Sequence, residues 1–140
     1  MTIHSYSLTI FSLYDNDGSY ETLRQAKDTY TRALNAAKRA DPSSLPGLYL
    51  NISTTLIEEG KPSEAEKQFY SLLHSASLDS STRSRILFNL ASLLLKEERI
   101  QESLSYIQQS IEEDLTQPID QSFTQTLALY TEIILLFISR

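Results

Sequence analysis

The chain contains no cysteine and few of the residues that interrupt regular secondary structure. Its 140 residues include only 3 glycines and 4 prolines. The absence of cysteine excludes disulfides, thiolate nucleophiles and cysteine-ligated metal sites. An all-β fold needs many Gly- and Pro-containing turns, which this sequence lacks. Leu and Ser are the most frequent residues, and Leu and Glu are strong helix formers.

Basic residues are also scarce relative to acidic ones. Lys and Arg number 12 against 18 Asp and Glu, which gives a net charge of −6. This balance disfavours nucleic acids and anionic membrane surfaces as partners. Residues 1–14 lack the basic region of a signal peptide, and the apolar run Ile133–Ile138 is too short to span a membrane. We therefore expect a cytoplasmic protein.

Apolar residues recur at spacings of three and four along most of the chain, which indicates amphipathic helices. The pattern predicts about six or seven helices in a single domain over residues 1–140. The predicted elements are three helical hairpins at approximately 3–41, 46–78 and 83–114, and a final helix at 119–139.

Turn and capping residues separate these elements. Asp15–Gly18 has the composition of a turn, and residues 42–46 are predicted to form a loop. Gly60 is expected to end a helix in the left-handed conformation. Residues 79–82 are expected to cap the following helix, and Asp120 or Ser122 the last one.

Two segments of the sequence correspond to each other at an offset of 38 residues. Asn51 falls on Asn89 and Leu56 on Leu94, so like residues coincide through a whole hairpin. The same offset pairs Glu59 with Glu97, Ala65 with Ser103, Phe69 with Ile107 and Leu73 with Ile111. An internal repeat of this kind predicts a stack of helix pairs that presents a binding surface.

These residues resemble the tetratricopeptide repeat (TPR) family, whose unit is a helix–turn–helix of about 34 residues. The matching positions are Ser53 with Leu56, Gly60, Ala65 and Phe69 in one hairpin, and Ala91 with Leu94, Ser103 and Ile107 in the next. Glu98 occupies the position of the turn glycine in the second hairpin. The resemblance implies an all-α fold of antiparallel helix hairpins, stacked as a short right-handed superhelix.

No arrangement of residues in the sequence predicts catalysis. The two histidines, His4 and His74, lack the partners of a catalytic constellation. Asp15-x-Asp17-Gly18 lacks the flanking ligands of a calcium loop. Acidic clusters at 58–59, 97–98 and 112–114 are interpreted as solvated helix ends. We predict a non-enzymatic protein with no cofactor, metal site or catalytic residue.

The resemblance implies a concave groove that binds a peptide or amphipathic helix of a partner protein. In the family, the first-helix Asn lies near this groove and can bond to a peptide backbone. The predicted partner-binding residues are Leu50, Asn51, Thr54, Arg85, Phe88, Asn89 and Ser92. Arg85 fits one basic position of a carboxylate clamp, but the other positions are not basic. Alternatively, this face packs against the neighbouring hairpin.

The last predicted helix offers a second interface, because it is apolar almost all round. A terminal repeat should end in a polar cap, and this helix does not. Its predicted interface residues are Tyr130, Ile133, Ile134, Phe137 and Ile138. The alternatives are a homodimer, a subunit of a larger complex, or half of a further hairpin in a longer repeat protein.

Overall fold

The computed structural model describes residues 20–75 and 78–139, which form helices and no strand. The helices are α1 (Tyr20–Ala40), α2 (Leu45–Glu58), α3 (Pro62–Leu73), α4 (Ser80–Lys96), α5 (Ile100–Asp114) and α6 (Gln121–Ile138). The predicted all-α, TPR-like fold class is confirmed. The first part of the predicted hairpin 3–41, with its turn at Asp15–Gly18, lies outside the described residues.

One predicted loop is shorter than expected. Pro42–Ser44 forms a 3₁₀ turn, and α2 begins at Leu45. The hydroxyl of Ser44 donates to the carbonyl of Asp41 at 2.8 Å, which closes this turn. Pro46 lies in the first turn of α2, where its missing N–H leaves no bond unmade.

The chain divides into two compact units, residues 1–72 and 73–140. In the first unit, Ala33 and Ala37 of α1 pack against Leu48 of α2. The hydroxyl of Ser53 on α2 donates to the side-chain oxygen of Gln68 on α3 at 2.8 Å. The single domain and the right-handed superhelix remain predictions.

The second unit is built from α4, α5 and α6. The N-terminal part of α4 lies against the C-terminal part of α5. The hydroxyl of Ser110 on α5 donates to the carbonyl of Ser84 on α4 at 3.1 Å. The two helices are therefore antiparallel. Ile133 of α6 joins Ala91, Ile100 and Ile107 in one buried core cluster. Burial of each such Ile contributes roughly 1.5–3 kcal/mol before ordering costs.

The internal repeat continues through the helix-ending turns. The amides of Gly60 and Lys61 donate to the carbonyls of Ile57 and Leu56. At the offset of 38 residues, the amides of Glu98 and Arg99 donate to those of Leu95 and Leu94. Gly60 has φ 81° and Glu98 has φ 62°. Glu98 therefore adopts the left-handed turn conformation of the glycine, which the sequence comparison did not predict.

This turn yields a stability prediction. Glu98→Gly should raise the free energy of unfolding by about 1 kcal/mol, because a residue with a Cβ is strained at positive φ. Gly60→Glu should lower it by a similar amount for the same reason. Urea denaturation followed by circular dichroism measures both changes.

Glu97→Gly is the matched control, since Glu97 has φ −88° and gains nothing from glycine. If Glu98→Gly destabilised the protein as much as Glu97→Gly, left-handed strain at this turn would be excluded.

Candidate partner-binding groove

A groove lies between α4 and α6 in the second unit. It encloses about 230 Å³ and is lined by Ser84, Arg85, Phe88, Asn89, Ser122, Gln125 and Thr126. Helical spacing places each helix's contributing residues on one face. The structure thus brings together Arg85, Phe88 and Asn89, which sequence reasoning assigned to partner binding.

Capping residues fix the start of both helices that form the groove. The carboxylate of Asp79 accepts from the backbone N–H of Thr82 at 2.7 Å, as predicted for the cap of α4. Asp120 caps α6 by accepting from the backbone N–H of Ser122 at 2.9 Å. The hydrogen bonds from Thr82 hold the pKa of the Asp79 carboxyl below its ordinary value. The hydrogen bonds from the hydroxyl and backbone of Ser122 lower the pKa of Asp120 in the same way. Both groove helices therefore begin at an ionised cap.

The groove presents polar groups that have no partner in the described part of the chain. Arg85 is exposed, Asn89 is half-buried and Gln125 is exposed. None of the three side chains forms a hydrogen bond or ion pair with any residue in 20–75 or 78–139. The ring of Phe88 packs against the buried core cluster below them. A peptide laid in this groove would meet amide, guanidinium and aromatic groups together.

A second cavity adjoins the groove at the start of the same helices. It also encloses about 230 Å³ and shares Ser84, Arg85 and Ser122 with the groove. Its other lining residues are Ser81, Asp114, Gln117, Pro118, Ile119, Asp120 and Phe123. We call it the Asp114 cavity. Sequence reasoning did not predict it.

The interpretation of two acidic clusters as solvated surface is wrong at particular positions. Asp114 is 9% exposed and its Oδ1 accepts from the hydroxyl of Ser84. The carboxylate of Glu59 is 10% exposed and lies 2.8 Å from the ammonium of Lys27. Burial raises the pKa of Glu59, but hydrogen bonds and attraction from Lys27 and Lys61 outweigh burial and leave it lowered.

A periodic signal in the sequence could have identified Asp114. Ser103, Ile107, Ser110 and Asp114 are all buried. They recur at spacings of four and three, so they share one face of α5. The acidic residue was assigned to solvent from its type and from its position near a helix end, although its spacing placed it on the buried face.

Four of the predicted partner-binding residues do not line the groove: Leu50, Asn51, Thr54 and Ser92. Leu50 is fully buried and Asn51 is 8% exposed, so the expected exposure of these two side chains is corrected. Thr54 is half-buried and its hydroxyl donates to the carbonyl of Leu50 at 3.0 Å. Ser92 is half-buried and does not line the groove.

The predicted interface on the last helix also needs one correction. Ile133 is fully buried, because it faces α5 and completes the core cluster. Tyr130 and Ile134 are half-buried, whereas Phe137 and Ile138 are exposed. Three further large apolar residues of α6 are exposed: Leu127, Leu135 and Leu136.

Other candidate chemistry finds no support in the described residues. His74 is exposed, and His4 and Asp15 lie outside the described part of the chain. Across residues 20–75 and 78–139, no group of His, Asp and Glu side chains is placed to hold a metal ion. None of the helices in those ranges has the length and hydropathy needed to span a bilayer.

An antiparallel helix pair such as α4 and α5 is the building unit of helical-repeat proteins. Residues 84–117 match the family model described as tetratricopeptide repeat. The match covers most of α4, the whole of α5 and the turn after it, and it confirms the predicted TPR-like repeat. No curated protein sequence matches the chain. Tetratricopeptide repeats are in general protein–protein interaction modules and are typically non-enzymatic.

Proposed function

We propose that the chain is a non-enzymatic interaction adaptor that binds a peptide or helix of a partner protein between α4 and α6. The observation that carries the proposal is the convergence of Arg85, Asn89 and Gln125, which are unpaired among the described residues, beside the ring of Phe88. The family match covers α4, which supplies most of these groups. The cytoplasmic location remains a prediction.

The groove suits a short segment with exposed backbone polar groups. The amides of Asn89 and Gln125 each offer a donor and an acceptor, which a peptide backbone can satisfy. Phe88 is held in place by the core cluster, so little side-chain entropy is lost when a ligand covers it. Arg85 adds a bidentate donor for a carboxylate of the partner.

Recognition of a terminal carboxylate would depend on Arg85 alone. The other positions of a carboxylate clamp hold Phe88, Ser92 and Leu127, which are not basic. We therefore favour an internal segment of the partner over its free carboxyl terminus.

The groove is tested with a peptide selected on the immobilised full chain from a random phage library. Arg85→Gln combined with Asn89→Ala should weaken the Kd about tenfold or more, since each lost hydrogen bond contributes roughly 1 kcal/mol. Fluorescence anisotropy measures the Kd. Circular dichroism should stay unchanged, because both side chains are partly or fully exposed.

Lys96→Gln is the matched control, since Lys96 is an exposed cation of α4 that does not line the groove. Equal affinity for the double variant, the control and the unaltered chain would reject the groove as the binding face.

A second candidate function is self-assembly, or assembly into a larger complex, through α6. Leu135 is 63% exposed and Ile138 is 73% exposed. Helical spacing places both on one face with Leu127 and Ile134, roughly opposite the buried Ile133. Several exposed large apolar side chains on one helix are typical of an interaction site.

Light scattering coupled to size-exclusion chromatography tests this candidate. If α6 mediates a homodimer, the molar mass should double with rising concentration, and Leu135→Glu with Ile138→Glu should restore the monomer. Ser105→Glu with Gln108→Glu adds the same charge to exposed positions of α5 and should leave the dimer intact. A monomer at every concentration would exclude the homodimer.

A further inference from the structure

Asp114, which lines the Asp114 cavity, has a buried carboxylate oxygen that is unsatisfied. Oδ1 of Asp114 accepts from the hydroxyl of Ser84, which is itself buried. Oδ2 is inaccessible to solvent and has no hydrogen-bond partner in the described part of the chain. A buried acceptor without a donor costs free energy, and more when it is charged. A ligand that brings a donor to Oδ2 would recover part of that cost.

The cavity wall favours a cationic donor. Two acidic side chains, Asp114 and Asp120, line it with one basic side chain, Arg85. Arg85 is exposed and also lines the neighbouring groove, where an acidic group of a ligand can meet it. The other described residues of α5 and of the following turn contribute no basic group to this wall.

Apolar residues of the same wall suit the stem of a long basic side chain. Pro118, Ile119 and Phe123 line the cavity, and Ile119 is 67% exposed. Lys and Arg place their methylene groups along apolar surface of this kind while the charged head reaches a polar partner. Because Ser84, Arg85 and Ser122 line both spaces, a peptide in the groove would lie beside the cavity.

We infer that the Asp114 cavity binds a Lys or Arg side chain of the segment that occupies the groove, with Asp114 as its acceptor. The inference rests on the proposed function and specifies its ligand. The partner segment therefore carries a basic residue that enters the cavity beside the groove.

A double-mutant cycle on the selected peptides tests the inference. Replacing the critical Lys or Arg of the peptide by norleucine should weaken the Kd about tenfold or more, because a charge-assisted hydrogen bond to Asp114 is lost. Asp114→Asn should weaken the original peptide to a similar extent. The norleucine peptide should bind Asp114→Asn and the unaltered chain equally, since the interaction is then already absent.

Two controls keep the result interpretable. The side-chain oxygen of Asn can still accept from Ser84, so Asp114→Asn should fold, and thermal unfolding checks this. Glu112→Gln removes one negative charge from an exposed position of the same helix, outside the cavity. It should leave the Kd unchanged, which separates a specific contact from attraction to an acidic protein.

The contrary outcomes distinguish failure of the inference from failure of the proposed function. If binding depends on Arg85 and Asn89 but Asp114→Asn behaves like Glu112→Gln, the inference fails and the proposed function stands. The same holds if the selected peptides bind in the groove without needing a basic residue. If binding is insensitive to Arg85 and Asn89, the proposed groove fails and the inference fails with it.

Discussion

The close approach of α4 and α5 is the constraint on which the second unit depends. The hydroxyl of Ser103 donates to the carbonyl of Ala91 at 2.7 Å, and both residues are fully buried. Two small side chains at this crossing let the helix backbones approach, and the bond satisfies a hydroxyl that could not otherwise be buried. Ile107 and Ile133 fill the space on the α6 side of this contact. The groove exists because this hairpin holds α4 in a fixed position relative to α6.

At the other end of the α4–α5 hairpin, the residues buried between the two helices are polar. Ser84, Ser110 and Asp114 form a buried network there. Such a network stabilises a unique packing only when each group is satisfied, and Oδ2 of Asp114 is not. The network borders the groove, because Ser84 lines both the groove and the Asp114 cavity. The buried contact with Ser84 and the ligand contact that we infer therefore involve the same carboxylate.

Local sequence patterns were sufficient to predict much of this structure. The caps at Asp79 and Asp120, and the turn at Gly60, depend on neighbouring residues and a backbone conformation that composition indicates. Arg85, Phe88 and Asn89 were also predicted, because helical spacing groups them on one face of α4. The family resemblance indicated which face that was.

The remaining features depend on contacts between distant residues. Helical spacing assigned Leu50 to a groove and the family resemblance assigned Asn51 to it, but the structure buries both. The buried Asp114 accepts a hydrogen bond from Ser84, which lies thirty residues earlier in the chain. Glu98 takes the place and conformation of a glycine although its residue type disfavours positive φ. Each outcome is decided by tertiary packing, which residue type and spacing do not determine alone.

The central claim is that partners bind between α4 and α6, and a backbone-amide NMR titration tests it most directly. The isotopically labelled full chain would be titrated with a peptide selected on it. Binding in the groove predicts the largest shift changes in residues 84–89 and 122–126, together with Asp114 and Gln117. Changes confined to residues 127–138, with the groove unaffected, would contradict the claim and assign binding to the exposed face of α6.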